Sequence, residues 1–198
     1  MKWFPFLEKR PAKPKSRTRE TIETFVVALA LALGVRATIA EARYIPSGSM
    51  LPTLQIGDRL IIEKVTYHFE PPQRDDIVVF TPPKSAGFPA SDALIKRVIG
   101  LPGDHVAVHD GKVWINGKAL YEPYIEASPD YDMPDPNDPD AYFHTGKDVV
   151  VPKGDVFVMG DNRNDSADSH IWGFLPIKDI IGRSVFRFWP PNRIGPTT

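Results

Sequence analysis

Between residues 58 and 189 the apolar residues fall in short runs broken by Gly, Pro, Asp and Asn, and the runs do not recur at helical spacing. DRLIIEKV, DDIVVFT, ALIKRVIGL, DHVAVHD, KVWING, KDVVVP, DVFVMGD and IIGRSVFRFW are rich in Val, Ile and Phe, which suit a pleated and partly buried surface. They predict an all-β domain of about eight short strands, folded as a distorted antiparallel β-barrel or sandwich. DGKVWINGKAL predicts a hairpin that turns at Asp110-Gly111, with Asn116-Gly117 opening the next turn. No stretch after residue 43 keeps a helical period, and there is no internal repeat.

One apolar stretch differs in kind: TIETFVVALALALGVRATIAEA, residues 21–42. From Phe25 to Val35 it has no polar residue, but Glu23, Arg36 and Glu41 flank it, leaving it short of the roughly 20 apolar residues that cross a bilayer comfortably. Arg36 can lift its guanidinium to the headgroups while its stem stays in lipid. A single transmembrane anchor is the preferred reading, giving a basic tail at 1–21, an anchor at 22–42 and the β domain from 43 to 198. A cleaved secretory signal with Ala40-Glu41-Ala42 as its A-x-A site, and an ordinary amphipathic core helix, are the alternatives.

Charge sharpens this picture. Residues 1–21 carry seven basic side chains against two acidic ones, whereas residues 43–198 carry 16 basic and 21 acidic. Basic residues before the anchor put the N-terminus in the cytoplasm and the β domain outside, with the lipid bilayer as a partner. A net-negative main domain speaks against nucleic acid. With 198 residues, 42% of them hydrophobic, the chain can bury one core. The absence of cysteine excludes disulfides, thiolate-bound zinc and a cysteine nucleophile. The 21 prolines, about twice the usual share, favour turns and extended segments.

Candidate chemistry begins at IPSGSMLPTL, residues 45–54, where Ser47 and Ser49 flank a glycine. A serine hydroxyl is a weak nucleophile until a base takes its proton. His105 and His109 share one face of a strand-like run without the helix of a zinc protease, and His68 and His144 sit in polar loops. His170, in NDSADSHIWG, is the histidine that can complete a Ser-His-Asp arrangement. Lys96 offers another base: by alternation it shares a face with Leu94 and Val98, where lost hydration lowers its pKa, while Arg97 shares the other with Ile95 and Ile99. A neutral lysine amine accepts a serine proton in Ser-Lys variants of the triad. A lysine reaching solvent past the strand edge is the plainer reading of the spacing alone. The segment MGDNRNDSADSHIWGFLP reads equally as a turn held by its own Asp, Asn and Ser side chains. SPDYDMPDPNDPDAY, residues 128–142, reads as a solvated acidic loop, since prolines stand where a calcium loop needs glycine and a closing glutamate.

A basic tail, an apolar span, SGSMLPTL, IKRVIGLPGD and GDNRNDSADS in that order resemble the bacterial type I signal peptidases over nearly the whole chain. The resemblance implies a serine endopeptidase that needs no cofactor or metal and removes signal peptides from exported preproteins after an A-x-A-type site. It would be a single-pass protein of the bacterial cytoplasmic membrane with a periplasmic or extracytoplasmic catalytic domain. It implies Ser49 as nucleophile, Lys96 as general base, and an oxyanion hole formed by the Ser49 N–H and the Ser47 hydroxyl. Ser166 would hold the lysine amine, Asp168 would brace that loop, and Ile45, Leu54 and Ile95 match positions lining the pockets for small residues. The chain departs from the pattern at Asn164-Asp165, where the order is often reversed, at His170, where an arginine commonly stands, and at Arg74-Asp75-Asp76, where a glycine often separates Arg from Asp. The short stretch between Gly103 and Gly160 implies a small β insert at about 105–152. Two other readings are a specialised relative, for conjugative pilin or an organellar inner membrane, and a membrane-tethered, non-enzymatic β domain that binds peptides by strand addition.

Overall fold

The computed structural model describes residues 17–138, 141–144 and 149–197; residues 1–16 of the basic tail lie outside them. The chain divides into two units, one ending at Ala37 and one beginning at Thr38. The first contains most of helix α1, Arg17–Thr38. Phe25, Val26, Val27, Leu29, Leu31 and Leu33 along it are all exposed. Among the described residues no helix is long and apolar enough to cross a membrane. Ala40, Glu41 and Ala42, which the sequence assigns to the end of the anchor, are instead strand residues.

The second unit is mostly β. In chain order its strands are β1 (Ala40–Tyr44), β2 (Arg59–Glu63), β3 (Ile77–Phe80), β4 (Leu94–Gly100), β5 (His105–His109), β6 (Lys112–Ile115), β7 (Lys118–Ala119), β8 (Val149–Val150), β9 (Asp155–Met159), β10 (Leu175–Pro176), β11 (Ile180–Trp189) and β12 (Gly195–Pro196). A single helical turn, α2 (Ser169–Trp172), precedes β10. The larger sheet runs β1-β2-β11-β3-β4-β9-β10, with β12 also on β11. Every pairing in it is antiparallel. The sheet curls into half a barrel and stays open at β1 and β10, so the expected barrel does not close. A second sheet, β7-β6-β5-β8, spans residues 105–150. Its hairpins turn at Asp110-Gly111 and Asn116-Gly117, both residues of each pair having positive φ, as the tight turns that match strand twist require.

β3 shows why the larger sheet is a core element. All four of its residues are buried, Ile77 and Val79 in one apolar cluster and Val78 and Phe80 in another, because alternate side chains leave opposite faces. The first cluster also takes Ile45, Met50, Leu54, Leu60 and Ile62; the second takes Val98, Val156, Val158, Trp172 and Leu175. A third joins the two sheets through Ile99, Phe157 and Met159 on one side and Val106, Val108, Val113 and Ile115 on the other. Register then sets up the site. Val78 faces Lys96 across β3 and β4, and Arg97 faces Met159 across β4 and β9, so β9 runs out into Gly160 alongside Lys96.

Candidate active site

The turn after β1 is held from below by apolar side chains. Met50 and Leu54 are fully buried, and the Leu54 N–H donates to the Met50 carbonyl at 2.8 Å, the Leu51 N–H to that of Gly48 at 3.0 Å. The turn's far end is pinned by two arginines: Arg187 Nη1 and Arg193 Nη2 donate to the Thr53 carbonyl at 3.0 and 3.1 Å, and both guanidiniums face Asp58. Anchored at both ends, the turn presents Ser49 half-buried at its top.

Lys96 meets it there. Its Nζ lies 2.7 Å from Ser49 Oγ, and the residue is only 4% exposed. Leu94 and Val98, two residues to either side, pack in the same apolar cluster. Burial pushes the amine below the ordinary lysine range, with the Asp168 and Asp161 carboxylates pulling the other way. A hydroxyl in contact with an amine that has lost much of its hydration is an arrangement able to pass a proton from oxygen to nitrogen. Among the described residues no backbone partner is seen for the Ser49 N–H, which leaves it free to donate elsewhere.

The loop from Gly160 to Asp168 closes the site. Its backbone grips the serine turn: Asn162 N–H donates to the Ser49 carbonyl at 3.1 Å and Asn162 Nδ2 to the Gly48 carbonyl at 3.2 Å. Asp168 is fully buried; it accepts from the Gly160 N–H at 2.8 Å and from His170 Nδ1 at 2.7 Å, and caps α2 through the His170 N–H. Burial alone would raise its pKa, but the bonds from His170 and the Gly160 N–H, with the nearby Ser166 hydroxyl, hold the carboxyl below its usual range. The Ser166 hydroxyl itself is buried and, among the described residues, makes no hydrogen bond of good geometry.

The structure thus brings Ser49, Lys96, Ser166 and Asp168 to one end of β4 and β9. Ser47 is exposed one residue beyond Gly48. Ile45 and Leu54 are buried in the cluster around Met50, with Ile95 half-buried against it. His170 is occupied elsewhere: its Nδ1 binds Asp168 and its ring stacks on Tyr131 at 4.2 Å, whereas Ser49 Oγ is bonded to Lys96. His109 stacks on Trp114, and His68 and His144 bond to nearby carbonyls. Among the described residues no cluster of three or more His, Asp or Glu could hold a metal ion.

Sequence reasoning missed a buried ionic frame around these residues. Arg97 Nε and Nη2 bind Asp161 at 2.8 and 2.7 Å in a two-pronged ion pair, and Thr53 Oγ1 donates to the same carboxylate at 2.6 Å. Arg97 and Asp161 are 3% and 0% exposed. A signal was present: an arginine alternating between Ile95 and Ile99 points into an apolar face and must find a carboxylate there.

A family model described as signal peptidase, peptidase S26, matches residues 18–189. Signal peptidase I of Leptolyngbya laminosa is 50% identical over 186 residues, 92% of this chain and 85% of that one. Probable signal peptidase I-1 of Synechocystis is 52% identical over 180 residues, covering 89% and 85%. A solved signal peptidase I from Enterococcus faecalis overlays with a TM-score of 0.45 at 30% identity, over 58% of this chain and 97% of that one.

Proposed function

This chain belongs to the signal peptidase family, peptidase S26, a family of proteases that cleave signal peptides from preproteins, and from that premise we propose that Ser49 and Lys96 form its catalytic pair. Neutral Lys96 takes the Ser49 proton as Oγ attacks the scissile carbonyl. The tetrahedral oxyanion is received by the Ser49 N–H and by the exposed Ser47 hydroxyl, each such donor being worth about 100-fold or more in turnover. Lys96 returns its proton to the leaving amine, leaving an ester on Ser49. It then takes a proton from water as the water oxygen attacks the ester, and gives that proton to Ser49 Oγ as the ester C–O bond breaks and the new carboxyl terminus leaves. Ser166 steadies the amine and Asp168 braces the loop that carries Ser166. Half-buried Ile95 offers an apolar wall for the small residues of an A-x-A site, and the buried Ile45 and Leu54 back it from the core. None of these steps calls for a metal or cofactor.

The observation that carries the reading is the 2.7 Å approach of a buried lysine amine to a serine hydroxyl, in a chain whose relatives are peptidases. The test is turnover of a preprotein bearing an A-x-A site by Ser49→Ala, Lys96→Ala and His170→Ala. The first two lose about 10,000-fold. In the intact enzyme turnover rises with pH through a midpoint below the ordinary lysine value, because only the unprotonated amine is a base. Retained activity in Lys96→Ala ends the pairing, and a loss confined to His170→Ala points to a histidine base instead.

The same reading makes α1 the anchor of a single-pass protein with a cytoplasmic N-terminus and an extracytoplasmic β domain, its apolar run, too short to cross by itself, reaching both surfaces where the bilayer thins around it. The exposed apolar side chains from Phe25 to Leu33 support it, since such a surface calls for lipid cover. The basic residues ahead of the helix support the orientation.

A further inference from the structure

The second sheet lies outside the proposed chemistry, yet it sends a strap back to it. The segment from Leu120 to Met133 is tied to that sheet at both ends. Leu120 N–H donates to the Val113 carbonyl at 2.8 Å, and Met133 and Val108 exchange two backbone bonds of 2.8 Å. Between these ties the strap leans on the loop 160–170 at three places. Glu122 Oε1 lies 2.7 Å from Arg163 Nη2, the two side chains 5% and 0% exposed. Asn164 Nδ2 donates to the Ser128 carbonyl at 3.0 Å while its Oδ1 accepts from the Asp130 N–H at 3.0 Å. Tyr131 stacks on His170.

The first of these contacts reaches furthest toward Ser49 and Lys96. Arg163 Nε donates to the Gly160 carbonyl at 3.0 Å, at the point where the loop leaves β9 beside Lys96. Its two Nη atoms are buried and, among the described residues, make no hydrogen bond of good geometry, so the nearby Glu122 carboxylate is what compensates their charge. Glu122 also accepts from the Tyr124 hydroxyl at 3.2 Å, and the Tyr124 ring lies under Arg97, 4.0 Å from guanidinium carbon to ring centre, with Arg163 at 5.9 Å. Arg97 is the chain neighbour of Lys96 and holds Asp161; Asn162, next along, holds the serine turn.

We propose that Glu122 is a positioning residue for the Ser49–Lys96 pair, holding Arg163 and, through Tyr124, Arg97, so that the second sheet fixes the loop that joins nucleophile to base. The inference rests on the catalytic pair proposed above. Glu122 touches no reacting atom, so its loss acts on turnover and not on the pockets that bind substrate.

The test measures kcat, KM and thermal midpoint for the full chain on a preprotein, in a double-mutant cycle of Glu122→Gln and Arg163→Met with Lys96→Ala alongside. Glu122→Gln lowers kcat about 10-fold or more with KM within about 2-fold, as expected when reacting groups are misplaced but binding is intact. In the Arg163→Met background the same substitution lowers kcat by clearly less than in the native chain, because one of its two partners is already gone. Wild-type kcat in Glu122→Gln, equal losses in both backgrounds, or a loss that only tracks the unfolded fraction overturns the proposal. If Glu122→Gln does not fold, the double variant, which leaves no lone buried charge, carries the test. It is expected to keep its thermal midpoint while losing kcat, and wild-type kcat there overturns the proposal. An inactive Lys96→Ala beside a fully active Glu122→Gln ends this inference alone; an active Lys96→Ala ends both it and the catalytic pair.

Discussion

Lys96 and Arg97 are consecutive on β4, equally buried and equally cationic by type, and the two faces of the sheet treat them in opposite ways. The face under Arg97 supplies a carboxylate within a two-pronged ion pair, a backbone carbonyl from Asp75 and an aromatic ring. Those partners outweigh burial and keep the guanidinium firmly charged. The face over Lys96 supplies a serine hydroxyl and apolar neighbours, and its nearest carboxylates, Asp168 and Asp161, are each spoken for by a closer cation or N–H donor. Burial therefore wins there and the amine moves toward its neutral form. A buried cation with a partner is architecture, and one without is suited to the role of base proposed for Lys96.

The harshest way to break that contrast is to make the two residues alike. Lys96→Arg puts a group that stays protonated against Ser49, and preprotein turnover is expected to fall about 10,000-fold with the fold intact by circular dichroism. Next in size is the reverse insult. Arg97→Met strands Asp161 without its cation in a fully buried site, and chemical denaturation should register a loss of about 3–5 kcal/mol. Replacing Asp161 with Leu in the same chain should recover part of it. The smallest effect comes from Asp168. Its carboxyl is held below the ordinary value of 3.8, so the stability it contributes is present above that value and drains away as pH falls through its lower folded-state pKa. Acid titration of unfolding should show a steeper fall for the native chain than for Asp168→Asn, and parallel curves would remove Asp168 as a charged brace.

Much of the β architecture was legible because it is written locally. Each of the eight runs that alternate or cluster Val, Ile and Phe contains a strand, and Asp110-Gly111 and Asn116-Gly117 adopt the left-handed turns their residue types favour. β1 was not legible: Ala40-Glu41-Ala42 has little β preference, and it becomes strand by pairing with Ile61–Glu63, some twenty residues on. Whether the sheet would close was equally hidden, since closure depends on stagger and edges that no single run encodes. At the site, alternation predicted that Lys96 and Arg97 leave opposite faces, and the clusters bear this out: Leu94 and Val98 pack in one, Ile95 in another. Nothing in the spacing brought Ser49 to a lysine 47 positions away, or Asp161 to an arginine 64 positions away. Those meetings depend on strand order, and resemblance to a family supplied the first of them but not the second. Glu122 and Tyr124 gave no signal at all, being two polar residues in a proline-bearing connection.

Gly160 sits where all of these pieces converge. A β-carbon built there would stand 2.2 Å from the Ser166 hydroxyl and 2.4 Å from the Ser49 carbonyl. The clearance is less than one methyl group, so the proposed catalytic centre is a close-fitting joint whose tolerance is a single missing carbon. Even alanine at this position meets the Ser166 side chain on one side and the Ser49 backbone carbonyl on the other, and the backbone side has no rotamer to turn away. Three distant stretches of chain thereby keep their alignment through the absence of one side chain.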